Sequence, residues 1–345
     1  MRWRFLILFI LAASLAGALA AMQSLHIYWR AGYTGLGQVN PTAELFGQHV
    51  ALIAGELRTI FFASGEPGLP PVRIYIGAQE RKKLMEDLPS NVKDWQKSYR
   101  VYPDGDLKRI KSRHRGDNPA NWLAEKKSWR LKLNKKHLLE RTRTFIYPVS
   151  QEANFIDNHL AYDIARSAGI LSPKSRLIEL IINEKSQGIY AEIEDIDESF
   201  LRNNKIMPVN IYKGEQYNSE RIIYTSNYLF NNPSLWEKEA VFNRQVETNK
   251  DDLEDFFDNL LRARTSDSGF KKLTQVARYD DWARFAAFQV LVHSWHNSSV
   301  HNQRLVLDPW RGTVAPVVHD TGMGVPREPF TLNTVFDSSS VLNFY

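Results

Sequence analysis

Short segments in which apolar and polar residues alternate occur along much of the chain, and this period of two predicts half-buried β-strands. The predicted strands are 72–76, 97–102, 107–115, 128–133, 175–182, 188–194, 210–213, 303–307 and 313–318. Pro103-Asp104-Gly105-Asp106 separates the second from the third and has the composition of a tight turn. These two segments are therefore predicted to form a β-hairpin.

Other segments place apolar residues at helical spacing. The predicted helices are 42–61, 78–87, 151–168, 196–204, 251–264 and 280–295. The last of them carries Trp282, Phe285, Phe288 and Val292 on one stripe. This stripe predicts a core helix that leads directly into the loop at Asn297.

Strands and helices follow one another in mixed order, which predicts an α+β fold. We expect one domain at 71–345 with two lobes, roughly 71–215 and 216–345, preceded by a helical segment at 25–70. A chain of 345 residues is long enough for a domain of this size with an ample core.

The amino terminus differs in composition from the rest of the chain. Arg2 and Arg4 precede an apolar run at 5–22, and the first acidic residue is Glu44. The small residues at 18–21 fit the cleavage pattern of a secretory signal. The run is also long enough to remain as a membrane anchor. Residues 1–24 are therefore predicted to be a signal peptide or an anchor, which would place the protein in the periplasm, on the cell surface or outside the cell.

Composition excludes several functions. The chain has no cysteine, so disulfides, thiolate metal sites and a cysteine nucleophile are ruled out. Its net charge of +5 is too small and too dispersed to predict binding to nucleic acid.

The most informative stretch is 291–324, where two predicted strands form a hairpin. This hairpin is predicted to bring Asn297, His301, Asn302 and Asp320 towards one end of a sheet. Oxygen ligands on strand ends suit Mg²⁺ bound together with a phosphate. The order Asn297-x4-Asn302, hairpin, Asp320 matches that of a kinase catalytic loop and its metal-binding aspartate, with an amide where the general base is expected.

The same stretch allows a different interpretation. Four histidines, at positions 293, 296, 301 and 319, lie close to Asp320 in sequence. Neutral imidazole and carboxylate also bind zinc or iron, so a metal-dependent hydrolase is an alternative function.

Two further strands carry charged residues on one face. Arg130 and Lys132 alternate with apolar residues and could bind phosphate oxygens, or they could form the solvated face of an edge strand. Glu192 and Glu194 share a face in the same way. They could act as an acid and a base, or simply face solvent.

Taken in order, several motifs resemble the spore coat protein H (CotH) kinase family. They are RHRG and KKSWRLKL within 113–133, Ala168-Gly169-Ile170, IINEKSQGIYAEIEDIDESFL at 181–201, and Ile211-Tyr212-Lys213. The resemblance covers roughly residues 107–324. It implies an atypical kinase fold with a mostly antiparallel sheet lobe, a helical lobe, and ATP with Mg²⁺ or Mn²⁺ between them.

The resemblance also implies roles for individual residues. Arg130 or Lys132 would contact the nucleotide phosphates, and the motifs place Arg115 and Lys213 at the nucleotide as well. Glu194 would orient a lysine or line the nucleotide cleft. Asn302 and Asp320 would bind the metal ion, and Asn297 takes the position of the catalytic aspartate.

An amide has no appreciable basicity, so Asn297 could not accept the proton of a substrate hydroxyl. His296 or His301 could replace it as the base. The resemblance thus implies ATP- and metal-dependent phosphoryl transfer, slow without the aspartate, to a protein or envelope hydroxyl of Ser/Thr type. A non-catalytic pseudokinase with a binding or assembly role in the cell envelope is the alternative.

Overall fold

The computed structural model describes residues 68–322 with gaps, and positions 14, 17 and 18. The gaps are 87–92, 117–119, 124–125, 150–155, 216, 219–220, 223–228, 241–247, 295 and 298–300. The signal or anchor at 1–24, apart from those three positions, and the predicted helix at 42–61 lie outside the described residues, and both stay predictions. Among the helices that the structure describes, none is both long and apolar enough to cross a membrane.

Seven strands form a closed barrel in the order β1-β2-β3-β4-β5-β7-β6. They are β1 (Pro71–Tyr75), β2 (Gln96–Val101), β3 (Leu107–His114), β4 (Trp129–Lys132), β5 (Thr144–Tyr147), β6 (Ser175–Ile182) and β7 (Lys185–Glu194). Six neighbouring pairs are antiparallel, and a parallel pairing of β1 with β6 closes the barrel. The α+β class is confirmed. The sheet lobe expected for a kinase-like fold is corrected to a closed barrel, and the division into two lobes stays a prediction.

The hairpin between β2 and β3 is confirmed at its turn. The amide of Tyr102 donates to the carbonyl of Asp106 across 2.9 Å, and Gly105 has a φ of 84°. This left-handed conformation is the reason that glycine suits the position.

Alternate side chains fill the interior of the barrel. Ile74, Ile110, Leu131 and Leu180 belong to one buried apolar cluster, although they lie on four different strands. Successive strand residues point to opposite faces, so the period of two seen in the sequence becomes the inside and outside of the barrel. Each such side chain contributes roughly 1.5–3 kcal/mol through burial.

The helices of the described residues lie outside the barrel or against the second sheet. They are α1 (Ala78–Met85), α2 (Ala120–Leu123), α3 (Asp157–Ser167), α4 (Glu198–Asn203), α5 (Asp251–Ala263), α6 (Asp267–Val276) and α7 (Tyr279–Leu291). Helix α7 ends four residues before the predicted boundary at 295, and His293 just beyond it has a φ of 48°. This left-handed residue turns the chain out of the helix.

A second, four-stranded sheet has the order β11-β8-β12-β13 and is antiparallel throughout. Its strands are β8 (Asn210–Gly214), β11 (Trp236–Ala240), β12 (Gln303–Asp308) and β13 (Thr313–Pro316). Helices α5, α6 and α7 contribute Phe256, Leu273 and Trp282 to a core shared with Trp236 and Leu305 of the sheet. A separate ribbon pairs β9 (Tyr217–Asn218) with β10 (Arg221–Ile222).

One smaller cluster packs barrel residues against helices α3 and α7, and another packs α4 against the second sheet. In one, Tyr162 of α3 and Phe288 of α7 pack with Ile146 and Ile193 of the barrel and with Val318 after β13. In the other, the α4 residues Phe200 and Leu201 pack with Ile211 and Val306 of the second sheet. Val318, two residues before Asp320, is therefore packed against the barrel and against helices α3 and α7.

Candidate functional site

The site lies where α3, the loop after α7, and the ends of β12 and β13 meet. Asn297 occupies its centre and is only 1% exposed. Its Nδ2 donates to the carbonyls of Asn302 and His319, each at 3.0 Å. Its Oδ1 accepts from Nε2 of Gln289 at 2.8 Å and of Gln303 at 2.9 Å. These contacts fill the hydrogen-bonding capacity of the amide, so Asn297 ties both ends of the hairpin to α7.

The two residues predicted to bind metal are brought together. Nδ2 of Asn302 lies 3.5 Å from Oδ2 of Asp320 and donates to the carbonyl of His296 at 3.2 Å. Both residues have positive φ, 58° for Asn302 and 45° for Asp320. Asn and Asp tolerate this conformation better than other residues with a side chain. Because the amide nitrogen makes both contacts, Oδ1 of Asn302 is the atom that could bind a cation.

Helix α3 holds Asp320 from the other side. Nδ2 of Asn158 donates to Oδ1 of Asp320 at 3.1 Å, and Oδ1 of Asn158 accepts from the amide of Thr321 at 3.1 Å. One helical turn later, the hydroxyl of Tyr162 accepts from the amide of Asp320 at 3.0 Å. The pair Asn158 and Tyr162 therefore fixes both the carboxylate and the backbone of the turn.

The charges around Asp320 keep it ionised. Burial alone would raise its pKa, but the hydrogen bond from His296 and the positive charges of His296 and Arg115 hold the pKa well below its usual range. The distance from Nδ1 of His296 to Oδ2 of Asp320 is 3.3 Å. Burial lowers the pKa of His296, yet the contact with Asp320 outweighs it and leaves that pKa raised. An ionised carboxylate is the form that binds a divalent cation.

A second histidine–carboxylate pair lies beside the first. Nδ1 of His301 is 2.5 Å from Oε2 of Glu215, and the rings of His296 and His301 are 4.8 Å apart. Glu215 also lies 3.5 Å from Nη1 of Arg304 and 3.8 Å from Nζ of Lys213. Burial would raise the pKa of Glu215, but these partners, His301 first, lower it to about 2.

The basic strand β4 contacts the residues around Glu215 and Asp320 only indirectly. Arg130 forms an ion pair with Asp195, and the charge of Glu239 also acts on it. Glu239 in turn lies 2.7 Å from Nε of Arg304. The edge-strand interpretation is wrong, because β4 lies between β3 and β5. Nζ of Lys132 lies 5.7 Å from the ring centre of Trp95.

The two glutamates of β7 are buried, so the solvent-facing interpretation is wrong. Glu194 is 2% exposed and accepts from Oγ1 of Thr142 at 3.2 Å, from the amide of Lys174 at 3.3 Å and from Asn203. Glu192 forms ion pairs with Arg100 at 2.8 Å and Arg176 at 2.6 Å. Neither contacts the group around Asp320 through these bonds.

The predicted residues thus fall into two sets. His296, Asn297, His301, Asn302 and Asp320 come together, with Arg115 and Lys213 acting on them through charge. Arg130, Lys132 and Glu194 make the contacts given above elsewhere on the barrel. Sequence reasoning missed five residues that contact these groups, namely Asn158, Tyr162, Glu215, Gln289 and Arg304. One of them could have been found from the sequence. Gln289 is a polar residue on the apolar face of α7, and such a residue indicates a buried hydrogen-bonding partner.

Within the described residues, no three His, Asp or Glu side chains are arranged to hold a metal ion. The described part of the chain therefore does not contain the histidine-rich metal site that the hydrolase alternative requires. The ionised oxygen of Asp320 and the amide oxygen of Asn302 do fit Mg²⁺ or Mn²⁺ that takes its remaining ligands from phosphate and water. An aspartate after a hairpin, with an asparagine at the start of that hairpin, matches the order of metal-binding residues in a kinase.

The comparison with known families agrees with this class. The profile of the CotH kinase protein family matches residues 112–326, more than half of the 345-residue chain. The chain belongs to the CotH kinase family. No curated protein matches it.

Proposed function

We propose that this protein is a slow phosphotransferase that binds a nucleotide together with Mg²⁺ or Mn²⁺ and phosphorylates a hydroxyl group. The observation that carries the proposal is the ionised Asp320 beside Asn302, fixed by Asn158 from helix α3. Positioning and charge stabilisation supply most of the catalysis in phosphoryl transfer, so a rigid site of this kind can act without a strong base.

Asp320 and Asn302 would hold the metal ion. When bound, the ion neutralises charge on the transferred phosphate oxygens. Arg115 places a positive charge near Asp320, and Lys213 places one near Glu215. We expect these two, and Arg130 and Lys132 of β4, to attract the anionic nucleotide. We assign Glu194 a structural role, since its bonds join β7 to α4.

The proton acceptor is where this chain differs most from its family, because Asn297 takes the position of the catalytic aspartate. Asn297 is committed to four side-chain hydrogen bonds and has no basic atom. Glu215 holds His301 by Nδ1 and stays ionised, as the carboxylate does in a carboxylate–histidine pair. Nε2 of His301 is then the nitrogen that could accept a proton from a substrate hydroxyl.

The sequence of residues 1–24 adds a location to the proposal. We propose that the protein is exported and that its substrate is a Ser or Thr hydroxyl of a protein, or another envelope hydroxyl. A reporter enzyme fused after Asn40 should then be active only outside the cytoplasm. Activity confined to the cytoplasm would contradict export and leave the phosphotransferase proposal to be tested separately.

Two measurements test the phosphotransferase function. ATP with Mg²⁺ or Mn²⁺ should raise the unfolding midpoint of the protein, because ligand that binds only the native state stabilises it. Labelled phosphate from ATP should appear on the protein or on a generic protein substrate. Asp320→Ala should abolish the metal-dependent part of both signals, whereas Asp258→Asn on the exposed face of α5 should leave them unchanged.

A pseudokinase is the second candidate, and the buried, fully bonded Asn297 favours it. It predicts the same metal-dependent stabilisation by ATP with no phosphate transfer at any protein concentration. Absence of metal-dependent ATP binding would contradict both candidates.

A further inference from the structure

The interior of the barrel is not uniformly apolar. Five inward-facing side chains hold polar atoms that are buried and have no hydrogen-bond partner among the residues the structure describes. They are Ser98 Oγ, Arg100 Nε, Ser112 Oγ, Trp129 Nε1 and one ring nitrogen of His114. Trp129 is 8% exposed and the other four are 3% or less. Buried polar groups are rarely left unbonded, so a group of five calls for a physical reason.

These five side chains occupy neighbouring positions on β2, β3 and β4, and together with Tyr147 of β5 they are called the polar ring. Ser98 and Arg100 are two residues apart on β2, and Nη1 of Arg100 donates across the barrel to the hydroxyl of Tyr147 at 3.0 Å. Tyr147 on β5 is the register partner of Trp129 on β4.

The polar ring continues from β4 to β3. Trp129 is the register partner of His114 on β3, and their ring centres are 4.6 Å apart. Ser112 precedes His114 by two residues on the same face of β3. It lies diagonally opposite Ser98, because Ser98 pairs with Ile110. Residues in diagonal positions on one sheet face lie within reach of a small bridging group.

The chemistry of the polar ring specifies what it could bind. Arg100 Nε and Trp129 Nε1 can only donate, whereas the serine hydroxyls can donate or accept. Burial, and then the charge of Lys127, lowers the pKa of His114 to about 4, although a hydrogen bond to the backbone of Ser128 opposes this. The ring is therefore neutral, and the nitrogen that does not bond Ser128 is an acceptor. Donors are therefore in excess, and the group that satisfies them must accept hydrogen bonds.

The charges beside the polar ring also bear on which group it could bind. Arg100 and Arg176 both bond to Glu192, at 2.8 Å and 2.6 Å, so two cations share one carboxylate beside the ring. We propose that the polar ring of the barrel binds a small hydrogen-bond acceptor, either ordered water or a small monovalent anion such as chloride. His114 of the ring directly precedes Arg115, whose charge acts on Asp320.

Alanine substitutions of the two serines test the site without a change of shape. If each hydroxyl bonds a bound molecule, Ser98→Ala and Ser112→Ala should each lower the unfolding midpoint by about 2–4 °C. Ser128→Ala is the matched control, since its buried Oγ bonds Asn121 at 3.0 Å and the amide of Val149 at 2.8 Å. If both ring variants leave the midpoint unchanged or raise it while Ser128→Ala lowers it, the hydroxyls have no partner and the proposal is wrong.

Crystals of the wild-type protein grown in sodium bromide give a second, independent result. An anomalous peak or a water peak within about 3.2 Å of Arg100 Nε and Trp129 Nε1 would support the site. Ring side chains bonded only to one another, with no such peak, would overturn it. If bromide raises the unfolding midpoint and gluconate at equal ionic strength does not, the bound group is an anion. If the two salts have equal effects, the group seen in the crystal is water. These experiments use no nucleotide, so they do not depend on the proposed function.

Discussion

Asn158 and Asp320 lie 162 residues apart in sequence, and Nδ2 of the first donates to the carboxylate of the second at 3.1 Å. The same amide accepts from the backbone of Thr321 through its oxygen. Asn158 therefore sets both the position of the carboxylate and the path of the chain beneath it. A residue of this kind acts on a bound cation through Asp320, without touching the cation itself.

Asn158→Ala should weaken metal-dependent ATP binding by about tenfold or more, because orienting partners of metal ligands typically contribute that much. Titration of the ATP-induced midpoint shift with Mg²⁺ measures it. His159→Ala is the control on the same helix, since the ring of His159 bonds Ser175 at 2.8 Å and makes no contact with the site through that bond. An unchanged Mg²⁺ requirement in Asn158→Ala would show that Asp320 is positioned without this amide.

Asn297→Asp should lower stability and give no gain in phosphate transfer. The substitution would direct a carboxylate oxygen at the carbonyls of Asn302 and His319, which now accept from Nδ2. Loss of two buried donors and burial of a charge together cost about 2–5 kcal/mol. Urea unfolding and ATP turnover measure the two effects. Asn134→Asp in an exposed turn is the matched control. A gain in turnover would instead identify the position as a working base site.

His301→Ala should reduce phosphate transfer by about 10²–10⁴-fold, the usual contribution of a general base, while ATP binding persists. Glu215→Gln should reduce it as well, because the neutral amide no longer holds the ring of His301 as an ionised acceptor. Initial rates with saturating ATP separate the chemical step from binding. His137→Ala, at an exposed position, should have no effect. Full activity of His301→Ala would exclude the His301–Glu215 pair as the base.

Asp197 predicts a pH dependence of stability with a definite sign. Burial first, and then the charge of Asp195, raise its pKa from 3.8 to about 6. The folded state therefore binds more protons than the unfolded state between about pH 4 and 6, and Asp197 makes stability fall as the pH rises through that window. Above it the loss is complete.

Asp197→Asn should remove this fall and raise the free energy of unfolding at pH 7 by roughly 1–3 kcal/mol. The asparagine keeps the helix cap, because Asp197 accepts from the amide of Ser199 at 2.7 Å at the start of α4. Urea unfolding of both proteins from pH 4 to 7.5 gives the difference. Asp104→Asn in the exposed β2–β3 turn should leave the fall in place. A difference between Asp197→Asn and wild type that does not change with pH would contradict the raised pKa.

The pattern of apolar and polar residues predicted those elements that have one buried face and one exposed face. The β2–β3 hairpin follows directly from alternation and from Gly105 in its turn. Strand β5 was not predicted, because all four of its residues are buried and the sequence shows no period there. Closure of the barrel was also missed, since the pairing of Ile74 with Ile182 joins strands that are far apart in the chain.

The site was predictable to the same extent. Asn302 and Asp320 flank one hairpin, so their proximity follows from its two strands. Asn158 and Glu215 reach the site from other elements, and no local spacing relates them to Asp320. The position of Asn297 was recognised from its order in the chain, but its hydrogen bonds to Gln289 and Gln303 depend on how α7 packs against the sheet.

The parallel pair β1·β6 also dictates an order of events during synthesis. Strand β1 leaves the ribosome long before β6 exists, whereas β2 and β3 can pair as soon as their turn is made. Until residues 175–182 arrive, one side of β1 exposes unpaired backbone groups, and this open edge can pair wrongly with other chains. The nascent barrel therefore depends on β6 for protection, and a chain that stops before it should accumulate as an aggregate.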